Sequence, residues 1–344
     1  MKSVIFAERD RVELREVPTP ELADPNGIRV RVTATSICGS DLHLVAGHVT
    51  PEVGYALGHE WVGIVDEVGA NVTKHSVGDR VTGPAAPWCG SCDLCLRGQA
   101  QRCRRGGVHG SGEMMGNLGG TQSEYLVVPW ADNAVIAVPP TVSDAAALVV
   151  GDALCTGWTA VRHVMSNSPE VLVVIGCGPV GLSAIMTAVA SGVPEVIAVD
   201  RVAERLAVAE KVGATRTFLA DDAGKNQLRE LYPEGVPAVV DAAGTQGSLD
   251  LASDIIGIGG LMGNLGIPAH PLTVNFGALM LKNPTLWTGL GDLTHMSEAI
   301  DLVASGKIDP LPIFSHTIDL GGVAEMYARM ASGEPGILKV LVTP

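Results

Sequence analysis

Val171-Leu172-Val173-Val174-Ile175-Gly176-Cys177-Gly178-Pro179-Val180-Gly181 decides the fold. Five apolar, mostly β-branched residues read as a buried strand, three glycines make a tight turn, and Leu182 to Ser191 reads as the start of a helix. Glu195-Val196-Ile197-Ala198-Val199-Asp200 then reads as the next strand. The 23 residues from Val171 to Val193 carry no charge, which is long enough for a membrane span. The glycine-proline turn divides them, however, and irregular backbone is not left exposed to lipid. In this strand-turn-helix-strand setting Gly176, Gly178 and Gly181, with Pro179 and Val180 between them, let backbone approach a pyrophosphate at a helix N-terminus. Asp200 lies 19 residues past the last glycine and can accept hydrogen bonds from both hydroxyls of an adenosine ribose. A carboxylate there repels a 2'-phosphate, so NAD is expected over NADP. Arg201 and Arg205 are the residues able to hold a phosphate if Asp200 turned away.

Downstream of this unit, Thr217-Phe218-Leu219, Ala238-Val239-Val240-Asp241, Gly260 to Gly266 and Thr285 to Gly289 read as strands with helices between them. Strands alternating with helices indicate an α/β fold with a doubly wound parallel sheet. Upstream the pattern changes. Val4-Ile5-Phe6, Val12-Glu13-Leu14, Ile28 to Thr33, Gly63 to Val68, Arg80-Val81 and Glu124 to Pro129 read as short strands between dense turn signals, a β-rich body that carries its chemistry on loops.

The chain of 344 residues is long enough for about two domains, and 47% apolar residues can fill two cores. A formal charge of -14, offset only by the short stretch from Arg97 to Arg105, argues against nucleic acid or anionic membrane as a partner. The N-terminal apolar run is too short for a signal peptide, so cytoplasm is the expected compartment. In a reducing compartment the seven cysteines read as metal ligands rather than disulfides.

Cys89, Cys92, Cys95 and Cys103 are the most specific cysteine signal. Four thiolates at this spacing form a closed tetrahedral site, with a structural role. Two other loops carry single ligand candidates. Cys38 is followed by Ser40 and His43, a hydroxyl and an imidazole able to pass a proton to solvent, and by Asp41, which can orient a metal-bound histidine. Gly58-His59-Glu60 supplies an imidazole and a carboxylate. A thiolate, an imidazole and a carboxylate are what a zinc site needs if one position is to stay open.

The run Gly58-His59-Glu60-Trp61-Val62-Gly63, with Gly69 and Val72 behind it, resembles the GHExxGxxxxxGxxV signature of the zinc-containing alcohol dehydrogenases of the medium-chain dehydrogenase/reductase superfamily. The likeness extends over essentially the whole chain. It implies a GroES-like zinc-binding catalytic domain over 1–153 and 292–344 and a Rossmann NAD-binding domain over 154–291. It also implies that Cys38 and His59 are ligands of a catalytic zinc, that Glu60 is a carboxylate able to approach the metal, and that Ser40 and His43 form a proton relay. The family's third ligand falls at Asp152, with Cys155 as a rival, and Lys339 falls near the cofactor pyrophosphate. Two zinc ions per chain, NAD, an alcohol with its aldehyde or ketone, and a homodimer or homotetramer joined around Leu279 to Trp287 complete the expectation. A formaldehyde dismutase-like enzyme or a dedicated biosynthetic reductase would share these motifs, whereas a non-enzymatic NAD-binding protein would be expected to lose the relay. Ala85, where the animal-liver enzymes have a large aromatic, suggests room for a substrate bigger than ethanol; Trp61, Trp88, Trp158, Leu118 and Met114 are expected in the cleft or the core.

Overall fold

The computed structural model describes residues 1–49 and 52–344. Its strands are, in chain order, β1 Lys2–Glu8, β2 Arg11–Glu16, β3 Ile28–Ile37, β4 Trp61–Val68, β5 Arg80–Thr82, β6 Tyr125–Val128 and β7 Ile136–Ala137. There follow β8 Val171–Ile175, β9 Glu195–Asp200, β10 Arg216–Leu219, β11 Val236–Asp241, β12 Ile256–Asn264, β13 Thr285–Thr288, β14 Phe314–Asp319 and β15 Lys339–Thr343. They fall into two compact units, one of Met1–Asp152, Asp292–Ala304 and Phe314–Pro344, the other of Ala153–Gly291 and Ser305–Ile313.

The second unit is a parallel sheet in the order β10-β9-β8-β11-β12-β13. Leu172 to Val174, Val196 to Ala198, and Val239 with Val240 are fully buried, as a parallel sheet covered on both faces requires. Strand order reverses between β8 and β11, so the crevice beyond the carboxyl end of β8 is the switch point where such sheets bind ligands. The helix after the turn runs Pro179–Ala190, one turn earlier than Leu182, because Pro179 is pre-set for the first helical position. Ser305–Ile313 belongs to this unit and not to the first: Ile308 and Ile313 are buried, and the turn Leu311–Ile313 packs on the helix Ala203–Lys211.

In the first unit β1 and β2 form a hairpin, and the path β14-β15-β3-β4-β5-β7, with β6 also on β3, forms the main sheet. Val4, Phe6, Leu57 and Val340 fill one core, and Ile28, Val30, Trp61 and Leu126 fill another. Ten-residue β3 pairs with β4, β6 and β15, so it is the strand on which this unit is assembled. Among the described residues no single helix is long and apolar enough to cross a membrane.

Candidate metal centres and dinucleotide turn

Strand register gathers the ligands. Thr35 of β3 lies opposite Trp61 of β4, and Ile37 lies opposite Val340 of β15. Cys38, His59-Glu60 and Lys339 therefore sit at neighbouring strand ends. Cys38 caps the helix Gly39–Val45, and its backbone N–H donates to Asp41 Oδ2 at 2.9 Å. Gly58 precedes His59 at φ +91, and a Cβ there would lie 2.6 Å from the Gln122 side chain, so this turn demands glycine. Asp152 follows the short turn Val149–Gly151 and precedes the helix Ala153–Val164.

The ligand atoms of Cys38, His59, Glu60 and Asp152 all lie within 4.8 Å of one another. His59 Nε2 is 3.6 Å, and Cys38 Sγ 3.7 Å, from Asp152 Oδ2. A tetrahedral zinc with its usual bond lengths separates N/O and S/O ligand pairs by about 3.4 and 3.6 Å, so these side chains fit one ion. Charge agrees with spacing. The three carboxylates of Asp41, Glu60 and Asp152 share this region with the Cys38 thiol, one lysine, His59 and a His109 whose charge burial opposes, an excess of negative charge that a dication offsets. Burial opposes a charged His59, but the Asp41 carboxylate, and after it Asp152 and Cys38 beside the ring, hold its pKa well above 6.5. A cation bound at Nε2 would replace that proton. Burial pushes the Asp152 carboxyl up, yet His59, Lys339 and Cys38 bring it below the usual range. Asp41 is 1% exposed, no solvated turn residue, and its Oδ1 is 3.0 Å from His59 Nδ1, close enough to pair but not aligned for a hydrogen bond.

Glu60 is held from one side. Its Oε2 accepts from the Lys339 ammonium at 2.6 Å and from the Ser36 hydroxyl, while Oε1 has no partner. Lys339 thus has a partner that the sequence reading did not name. The side chain is fully buried and paired with Glu60; burial opposes its charge, and Glu60 and Cys38 restore it.

Ser40 Oγ is 3.3 Å from His59 Nε2. His43, one turn along the same helix, is half-buried with Nδ1 3.4 Å from His48 Nδ1, and burial, then His48, lowers its pKa. Cys155 is fully buried and lies outside the converging set. Ala85 is buried, its N–H on the Gly151 carbonyl at 3.0 Å. Trp61 belongs to the core, Trp88, Trp158 and Leu118 are half-buried, and Met114 is 67% exposed.

The four remaining ligand candidates form a second cluster. Cys92 Sγ is 3.5 Å from Cys95 Sγ and 3.9 Å from Cys103 Sγ, and Cys89 completes the group. Tetrahedral zinc separates thiolate pairs by about 3.8 Å. Backbone N–H groups of Cys95 and Arg104 lower the Cys92 thiol to about 6, favouring the thiolate a metal needs. Burial and the neighbouring Cys92 and Cys103 push Cys95 up to about 12, so these thiols cannot all ionise without a cation.

At the dinucleotide turn Gly176 has φ +92, and a Cβ on Gly181 would meet the Gly176 carbonyl at 1.7 Å. Gly178 caps the helix, Pro179 and Val180 open it, and nothing lies within 4 Å of a Cβ built on Gly178. Asp200 ends β9 with Oδ2 accepting from the Cys177 N–H at 2.6 Å and Oδ1 from the Val202 N–H at 2.8 Å. Arg201 is exposed and Arg205 half-buried.

Several residues of the first site escape a sequence reading. Gln122, Tyr327, Ser36 and His109 are buried around the metal cluster, yet none stands in a ligand-spaced motif. The sequence offers only the polar run Thr121-Gln122-Ser123 between two glycines and a β-pattern, and its polarity gives no sign of burial.

The alcohol dehydrogenase GroES-like domain family matches residues 24–140, and the zinc-binding dehydrogenase family matches residues 179–305. An uncharacterized zinc-type alcohol dehydrogenase-like protein of Bacillus subtilis is 32% identical over the whole of both chains. Among solved structures, an alcohol dehydrogenase from Thermus sp. ATN1 is 35% identical with a TM-score of 0.93, covering 100% of this chain and 99% of that one. An Escherichia coli alcohol dehydrogenase complexed with NADH is 27% identical with a TM-score of 0.86, over 100% and 99% of the two chains. A zinc-binding dehydrogenase from Sinorhizobium meliloti bound to NADP is 28% identical with a TM-score of 0.85, again over 100% and 99%.

Proposed function

The chain belongs to the zinc-dependent alcohol dehydrogenase family of the medium-chain dehydrogenase/reductase superfamily, and from that premise we propose that it transfers a hydride between an alcohol and NAD, interconverting the alcohol with an aldehyde or ketone. The observation that carries the reading is the cluster of Cys38, His59 and Asp152, spaced for one tetrahedral ion within a site of excess negative charge.

When bound, zinc supplies a Lewis acid for the alcohol oxygen and the nicotinamide takes up or returns the hydride. Cys38, His59 and Asp152 would hold the ion, and the Asp41 carboxylate, 3.0 Å from His59 Nδ1, favours the tautomer with its proton on that nitrogen, leaving the Nε2 lone pair as ligand. Ser40 Oγ, beside His59 Nε2, would take the proton that the alcohol loses while passing its own, by way of the cofactor ribose, to His43, whose lowered pKa leaves the imidazole neutral and able to accept it. Glu60 Oε2 stays with Lys339 and Ser36, which keeps this carboxylate beside the ligands with Oε1 in reserve. The Cys89, Cys92, Cys95 and Cys103 cluster holds a second, structural zinc. Asp200 favours NAD, and Ala85 favours a secondary or bulky alcohol. Exposed Met280 and Leu281 beside the open edge strand β13 support a homodimer or homotetramer, which light scattering would read as a multiple of 35.6 kDa.

The test offers purified protein NAD or NADP with primary, secondary, aromatic and polyol alcohols, with and without a chelator. Reduced nicotinamide should accumulate with NAD, fastest with a secondary or bulky alcohol, and stop when the metal is removed. Turnover that survives complete metal removal would refute the proposal.

A further inference from the structure

Thr121, Gln122 and Ser123 are polar yet fully buried, a costly arrangement unless every group is paired. Gln122 is paired throughout. Its backbone N–H donates to the Leu57 carbonyl and its carbonyl accepts from Val4. The two N–H groups on Nε2 face three acceptors: the Ser36 carbonyl at 3.0 Å, the Tyr327 hydroxyl at 3.0 Å and, more distantly, Asp41 Oδ2 at 3.4 Å. Its Oε1 lies 3.2 Å from the same Tyr327 hydroxyl. Tyr327 is 3% exposed on the helix Val323–Ala331, so residues 205 positions apart in sequence meet behind Asp41.

The geometry matters because of what Asp41 touches. Oδ2 takes the Cys38 N–H and faces the Gln122 amide, while Oδ1 lies against His59 Nδ1. The carboxylate is thus gripped from behind, and its front oxygen meets the imidazole of the metal cluster. Which end of the Gln122 amide faces Asp41 decides whether that grip is attractive. The Ser36 carbonyl can only accept, so it fixes Nε2 on its own side, and the Tyr327 hydroxyl gives Oε1 a donor and so removes the reason to flip. Without the hydroxyl Oε1 is buried and unpaired, and a flipped amide would set oxygen against carboxylate.

We propose that Gln122 and Tyr327 are positioning residues that set the metal affinity of the Cys38, His59 and Asp152 site by fixing Asp41 against His59. The proposal rests on the reading of that cluster as a metal site. Partners of a ligating histidine typically change metal affinity by about 10- to 100-fold when altered, and a residue one bond further out should do somewhat less.

The experiment measures zinc affinity by chelator competition, and the d–d spectrum of cobalt-substituted protein, for the intact chain and for Tyr327→Phe and Gln122→Met. The four-cysteine site serves as an internal control for folding. Expected is a rise of about 3- to 10-fold in Kd at the Cys38 site for Tyr327→Phe and a larger rise for Gln122→Met, with a shifted d–d band at that site and an unchanged four-cysteine site. Unchanged affinity and spectrum in both variants would overturn the proposal, as would an equal loss at both sites, which would mark Gln122 and Tyr327 as packing alone. A wild-type chain whose only metal survives Cys38→Ala would instead overturn the reading of the cluster itself, and the proposal with it.

Discussion

Lys339 and His109 show what a single residue in this site is asked to tolerate. Lys339 and Glu60 are both fully buried, and removing one partner of such a pair leaves an uncompensated charge. Lys339→Met is expected to cost about 3–5 kcal/mol in denaturant unfolding, and Glu60→Gln in the same chain should recover part of that loss. Strictly additive losses would contradict the pairing. His109 is the opposite case, a buried imidazole kept neutral. Nδ1 is 2.9 Å from the Gly119 carbonyl, Nε2 has no partner, and burial, only partly opposed by that bond and reinforced by His59, lowers its pKa to about 4. The unfolded chain takes up this proton near pH 6.5, so between about pH 6.5 and 4 it binds more protons than the folded chain. Stability should therefore fall as pH falls through that window, by up to about 3 kcal/mol from this residue. His109→Gln should flatten that part of the profile relative to wild type; an identical slope would show that His109 does not titrate as described.

At the scale of elements, the glycine turn separates folding from binding. Gly181 faces the Gly176 carbonyl at a distance no side chain can share, whereas Gly178 faces open space. Gly181→Ala should lower the melting temperature, while Gly178→Ala should leave melting unchanged and weaken NAD binding at least tenfold by fluorescence titration, because its methyl group would stand where a pyrophosphate approaches backbone. Equal effects of the two changes on melting would contradict this division. The turn and its strands were legible in sequence because the physics there is local: an apolar run, glycines at fixed spacing and an acid at the end of the next strand. Cys38 with His59-Glu60, and the four cysteines, were legible as motifs for a similar reason. Gln122, Tyr327 and the pairing of Lys339 with Glu60 were not. These residues reach the site through the pairing of β15 with β3 and through the helix Val323–Ala331, contacts set by register and packing that leave no spacing to read. The helix after the turn began before Leu182 because its first turn is written in Gly178 and Pro179, residues that the apolar pattern does not count.

Over the whole molecule, one polypeptide leaves its first unit at Asp152 and returns at Asp292 and again at Phe314. The alternation of strands with helices made the second unit readable, but the excursion of Ser305–Ile313 depends on the packing of Ile308 and Ile313 and carries no composition signal. Among the described residues the first unit contains two clusters able to hold a metal, one of four thiols and one of mixed ligands with excess negative charge, and the proposed chemistry depends on the second of these. The most direct measurement is the zinc stoichiometry of the intact chain and of Cys38→Ala by native mass spectrometry. Two ions per wild-type chain and one per variant chain are predicted; two ions retained in the variant, or a single ion in both, would contradict a metal centre at Cys38, His59 and Asp152.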